Sequence, residues 1–206
     1  MSSVSTFRTL ALATAALSVG VGAVVATGTP AKAVGHHDRS GRTALTFAVE
    51  DCEGCEIQLH QGLPGKHGER PTFWKSPERT VHDGTVTFRI PSRRTWGMSA
   101  TVVAPWEGWT GYFTTVAFRY DGKTVGQPVT LSEATDADAA SACWAGTRQR
   151  AVTIPLVVER VRVAGVRGKV PGSIAYTPTT EDWTGEVRDA WDGVLGSQDY
   201  DICGQR

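Results

Sequence analysis

Cys52 and Cys55, two residues apart in "VEDCEGCEIQL", are the side chains in this chain whose type and spacing point most directly to chemistry. A C-x-x-C pair can exchange thiols, hold half of a zinc site or close on itself as a disulfide. Thiol exchange needs a depressed thiol pKa, usually supplied by a helix N-terminus or nearby cations. Here the cysteines stand among Glu50, Asp51, Glu53 and Glu56, which raise a thiol pKa, and "EIQLH" alternates as a strand does. A zinc site wants a second Cys or His knuckle. Cys143 and Cys203 stand singly, and His36 and His37 lie near the N-terminus. The sequence therefore predicts two disulfides. Of the three connectivities open to four cysteines, the favoured one joins Cys52 to Cys55 around Gly54 and Cys143 to Cys203.

Other catalytic patterns are thin. Ser173 and Ser197 follow glycines, but neither sits in a G-x-S-x-G elbow, and the chain has no H-E-x-x-H, phosphate loop or dinucleotide fingerprint. His60 on a strand, or His82 beside Asp83, offers a general base in principle. The Asp-x-Asp pairs in "DADAA" and "DYDIC" suggest calcium, but neither continues to the Gly and Glu of an EF-hand loop. No catalytic residue, metal or cofactor is expected, and the chain is read as a non-enzyme. Aromatic residues carry the other signal. The sequence holds 7 tryptophans, and Trp106, Trp109, Tyr112 and Phe113 crowd into "APWEGWTGYF", with Trp106 and Trp109 in a loop between Pro105 and Gly111. Rings on a loop can stack on sugars or anchor a protein interface as well as fill a core, so Trp106, Trp109 and Tyr112 form the candidate binding surface.

Strands must position these residues. Leu45, Phe47 and Val49 alternate in "TALTFAVE", Ile57 and Leu59 in "EIQLHQ", and Val86, Phe88 and Ile90 in "GTVTFRIP". "MSATVVAP" and "GYFTTVAFRY" follow, and Asp121-Gly122 is a hairpin signal leading into "TVGQPVTL". "AVTIPLVVERVRV" is long enough to bend at Pro155 or to break into two strands. "SEATDADAASACWAG" reads as a helix capped by Ser132 or Thr135 and closed by Gly146, and "TEDWTGEVRDAWDGVL" holds a second, short one. Many strands and few helices predict an all-β fold, an antiparallel β-sandwich with one or two short helices. Residues 83–105, "DGTVTFRIPSRRTWGMSATVVAP", resemble the strand, excursion and strand of immunoglobulin-like and transthyretin-like modules, which implies that general shape.

The N-terminus reads as a secretory signal: Arg8, an apolar run from Leu10 to about Ala26, and Ala31 and Ala33 at an A-x-A cleavage site. The expected organisation is a cleaved signal at 1–33, a disordered leader at 34–42 and one domain at 43–206, with no membrane span after cleavage. Cleavage removes Arg8 and Lys32, leaving 19 basic against 21 acidic residues, which argues against nucleic acid as a partner. The absence of Asn amid abundant Ala, Gly, Val, Thr and Arg points to a high-GC bacterial genome.

Charge is locally uneven. Six basic residues (Arg148, Arg150, Arg160, Arg162, Arg167, Lys169) stand against Glu159 between 148 and 169, and seven acids stand against Arg188 between Glu181 and Asp201. Within "VERVRV", Arg160 and Arg162 fall on one face, Val161 and Val163 on the other. The acidic tail covering the basic strand explains this pattern; a stripe for an anionic wall polymer is the other explanation. The resulting expectation is a secreted, extracellular bacterial binding module whose partner is a protein or a cell-wall or extracellular glycan. A small extracellular hydrolase and a purely structural surface protein are the alternatives.

Overall fold

The computed structural model describes residues 41–63, 69–108, 113–136, 140–165, 168–180 and Cys203. The expected signal, most of the expected leader and the C-terminal helix expected in "TEDWTGEVRDAWDGVL" lie outside these residues. Alternation produces strands where the sequence shows it. Leu45, Phe47 and Val49 are buried along β1 (Arg42–Glu50), Ile57 and Leu59 along β2 (Glu56–Leu63), and Val86, Phe88 and Ile90 along β5 (Thr85–Pro91). Between β2 and β5 lie β3 (Thr72–Lys75) and β4 (Arg79–Thr80). After them come β6 (Met98–Val103), β7 (Thr114–Ala117), β8 (Arg119–Tyr120), the helix α1 (Leu131–Ala134), β9 (Ala140–Ser141), β10 (Ala151–Gly165) and β11 (Gly168–Tyr176).

The protein is all-β with one short helix among the described residues. Nine strands form one sheet in the order β3-β2-β6-β7-β11-β10-β1-β5, with β4 paired to β2 beyond β3, while β8 and β9 form a separate pair. The sheet is mixed: β1 pairs with β10, and β7 with β11, in parallel. The purely antiparallel pairing expected from the sequence is corrected at these two joins. Both strands of each join are reached through long intervening chain, so no hairpin forces them antiparallel. The sheet curls because β4, on the β2 edge, leads through Val81 and a tight turn at 82–85 directly into β5 at the opposite end of the strand path. The Arg79 guanidinium lies 5.8 Å from the Phe88 ring centroid and covers that fold.

One core results. Phe47 and Phe88 meet edge to face at 6.2 Å, and Ile154, Leu156 and Val158 of β10 join them. Ile57, Leu59, Met98, Ala100 and Val102 close the core from the other half of the sheet. Each fully buried Leu, Ile or Phe contributes about 1.5–3 kcal/mol. A satellite cluster of Tyr120, Val129, Ala134 and Tyr176 sits at the β8–β9 pair.

Three local expectations change. The helix expected over 132–146 is confined to Leu131–Ala134 and is capped by Thr130, whose hydroxyl accepts from Glu133 N while its own N–H donates to Glu133 Oε2 at 2.8 Å. Residues 140–145 are drawn out because Phe118 N–H binds Ser141 O, and Trp144 N–H binds Met98 O, burying Cys143 and Trp144. Gly146 does not close a helix. It has φ +79°, and a Cβ there would meet the Thr95–Trp96 backbone at 2.9 Å. The Asp121-Gly122 turn forms, with Lys123 N–H on Tyr120 O, but β8 pairs with β9 rather than with residues 124–131. Finally, β10 passes Pro155 unbroken. Pro155 pairs with Ala48, and the β11 ladder begins only at Val157, so the proline lies where β10 is bonded on one flank among the described residues.

Both disulfides form as favoured, Cys52 with Cys55 and Cys143 with Cys203. Cys203 N–H also bonds Gly62 O, and its Cβ lies against Gly97, which ties the chain end to β2 and β6. Replacing Cys143 and Cys203 together by Ala removes a link across 60 residues. Stability should fall by about 2–4 kcal/mol, read as a lower urea midpoint.

Candidate functional site

Cys52 and Cys55 build a staple. Both are at most 2 % exposed, and Gly54 adopts φ +79° to close the loop. The loop is pinned to the chain before β5: Gly54 N–H donates to Val81 O and Val81 N–H to Cys55 O. Glu53 completes the clamp, its carboxylate accepting from Asp83 N and Gly84 N at 3.3 and 3.2 Å. His82 lies exposed 3.6 Å from the same carboxylate, so the expected His82–Asp83 base resolves into a turn held by Glu53.

His60 is buried at 2 % exposure, and its Nε2 meets Thr101 Oγ1 at 2.8 Å. Burial, with the nearby Lys75 charge, lowers its pKa to about 4. The ring is a neutral core group. Ser173 is also buried, its hydroxyl accepting the Trp106 indole N–H at 3.1 Å. No cluster of three or more potential metal ligands occurs among the described residues. Trp109, Tyr112, Ser197 and "DYDIC" up to Ile202 lie outside them.

The candidate site is the notch where β1 ends beside β10. Their ladder stops at Glu50 opposite Val157, and Asp51, at φ +58°, turns the chain away into the staple. β10 continues to Gly165 with β11 on one flank and, among the described residues, no strand on the other. An open cleft of about 530 Å³ lies at this corner. It takes Glu50 at the end of β1 and Asp51 just after it, Val157, Val158, Glu159 and Arg160 from β10, Tyr176 from β11, and Trp106. Successive β10 residues point to opposite faces, so a cleft that touches all four wraps the strand edge.

Trp106 is held firmly here. It sits in the 3-10 turn Pro105–Glu107, packs against the core, and donates its indole N–H to Gly172 O and Ser173 Oγ. Glu107 fixes the turn by accepting from Ala104 N at 3.0 Å. Across the cleft, Tyr176 donates its hydroxyl to Glu159 at 2.9 Å; burial first, then that carboxylate, push the phenol pKa up to about 12. Of the three expected surface aromatics, the structure thus places Trp106 at the cleft, with its polar edge turned inward.

Sequence reasoning did not single out Glu50, Asp51, Glu159 or Tyr176. The signal that could have found the notch is a length mismatch: "AVTIPLVVERVRV" outruns the strand "TALTFAVE" that pairs with it. No protein-family model, curated protein or solved structure matches the chain.

Two outcomes follow. The Cys52–Cys55 bond should resist mild reductant in the folded protein, and alkylation should reach these sulfurs only after unfolding; labelling under native conditions would return them to redox chemistry. His60, whose folded pKa lies below its unfolded value of 6.5, favours the fold fully above pH 6.5 and progressively less as pH falls towards 4. Its contribution to unfolding free energy should drop by about 2 kcal/mol by pH 5, a limb that His60→Gln flattens in urea titrations.

Proposed function

We infer that this is a secreted, extracellular bacterial binding protein whose contact region is the cleft at the end of β1 and the strand edge beside it. The observation that carries this reading is the flank of β10 from Val158 onward, which no strand pairs among the described residues and which adjoins an open cleft holding carboxylates and an arginine. Open strand edges are recognition elements, and a cleft of this size admits several side chains of a partner. The leader sequence supports export, and the paired cysteines are compatible with it. Two halves of a curled sheet over one core also support the immunoglobulin-like or transthyretin-like shape, with the mixed joins as a variation on it.

Between the two partner classes, protein is favoured over glycan. Trp106 spends its N–H on Gly172 and Ser173 and packs against the core, which leaves less ring for a sugar than a free platform would offer. The hydrolase alternative gains nothing from His60 or His82, one buried and the other facing Glu53.

A displayed peptide library and a panel of wall polysaccharides, selected against the wild-type protein and against an E50K/D51K variant, test the reading. Glu50 and Asp51 are exposed, so the variant should fold. Peptide binders that lose affinity at least about tenfold on the variant are expected. Equal binding by both proteins would remove the cleft, sugar binders alone would replace the partner class, and cleft-dependent turnover of an ester, glycoside or peptide would make the protein a hydrolase.

A further inference from the structure

We propose that the edge of β10 from Val158 to Ala164, which no strand pairs among the described residues, accepts an extended peptide segment as an additional strand, one that alternates acidic with apolar residues. The inference rests on the binding reading above and names the partner's chemistry.

The edge is built for it. β10 is fixed on its other flank by β11, in register from Val157 opposite Tyr176 to Gly165 opposite Gly168. The ribbon is tightly packed, since a Cβ on Gly172 would lie 2.7 Å from a Val163 methyl. A strand docking here therefore meets a formed edge and need not order one. Seven residues of edge span about 23 Å, enough for a full ladder. The line of β1 runs into this edge, and its end at Glu50 and Asp51 leaves the cleft as the place where a docked strand begins or ends.

Side chains define the occupant. Arg160 and Arg162 are exposed on one face, and neither has an ion-pair partner among the described residues; Val161 and Val163 are half-buried on the other. Cross-strand neighbours on the same face lie about 5 Å apart, so acids opposite the arginines and apolar residues opposite the valines complete both faces. A second copy of this chain fits poorly. Antiparallel pairing about a twofold axis at Arg160, Val161 or Arg162 sets arginine against arginine, and like charges directly opposite destabilise a sheet.

The test titrates the full-length protein with the peptide acetyl-Glu-Val-Glu-Val-Glu-Val-Glu-amide. Its controls are the Lys-Val counterpart and two forms N-methylated at alternate amides, which keep charge but lose one row of hydrogen bonds. Binding should slow amide exchange within 158–164, disappear with the lysine peptide and with one N-methylated form, and weaken about tenfold in an R160E/R162E variant. Should that variant misfold, the N-methylated pair still decides the matter on the wild-type protein. Absence of binding, or equal binding by both N-methylated forms, overturns the proposal. So does protection of the 158–164 edge in the free protein that is lost when the acids of 181–201 are changed to amides, because the chain itself would then be the occupant. Failure here alongside cleft-dependent binders from the library leaves the binding reading standing and removes only the strand-addition mode.

Discussion

The architecture depends on the staggered pairing of one strand. β10 has 15 residues; β1 bonds Ala151–Val157 from one flank and β11 bonds Val157–Gly165 from the other, so the two ladders overlap at a single residue. Among the described residues, this strand alone joins the β1–β5 half of the sheet to the β11–β7 half. Because the β1–β10 pairing is parallel, the chain between them must return to the end where it started, and β2 to β9 are the body of that return. The second half of the core is thus built inside a crossover, which brings Ile57, Leu59 and Met98 over Phe47 and Leu156.

A sheet curled this way has loops that must be held where strands do not hold them. Cross-links and buried polar groups do so. Gln61 donates to Arg93 O and Trp96 O and accepts from Arg94, binding the turn after β5 to β2, while the Arg94 guanidinium lies 5.4 Å from the Trp74 ring. Thr43 donates from β1 to Ser92 and Gln149, near the start of β10. Each satisfied group penalises a shift in register, because the shift would leave it buried and unpaired. Apolar area drives collapse, whereas these bonds select one arrangement of the collapsed strands.

Much of this was legible in the sequence where its cause is local. Period-two alternation placed Leu45, Phe47, Val86, Phe88 and Ile90 on their buried faces, since strand geometry alone forces that assignment. The pairing of Cys52 with Cys55 followed from spacing and from the acids around it. What failed depended on distant partners. The Ala-rich stretch after Thr130 has helical propensity, but Cys143 and Trp144 gain more from burial against Gly97, Met98 and Cys203 than from helix. Pro155 carries a breaker's signal, yet its effect depends on whether a neighbour needs the N–H that proline lacks. The notch needed the same kind of distant information: the unequal lengths of the two strands stand in the sequence, but their pairing is not encoded near either of them.

An edge that no strand pairs among the described residues is ordinarily a hazard, because unpaired backbone groups accept any strand that arrives. Arg160 and Arg162 limit it by charge, repelling an identical edge in the registers that would cover it best. Charge of one sign cannot exclude every strand, however. Repulsion between like edges is attraction toward unlike ones, and the free N–H and C=O groups remain. On the strand addition proposed above, the two side chains that disfavour pairing with a second copy are also the ones that select an acidic strand.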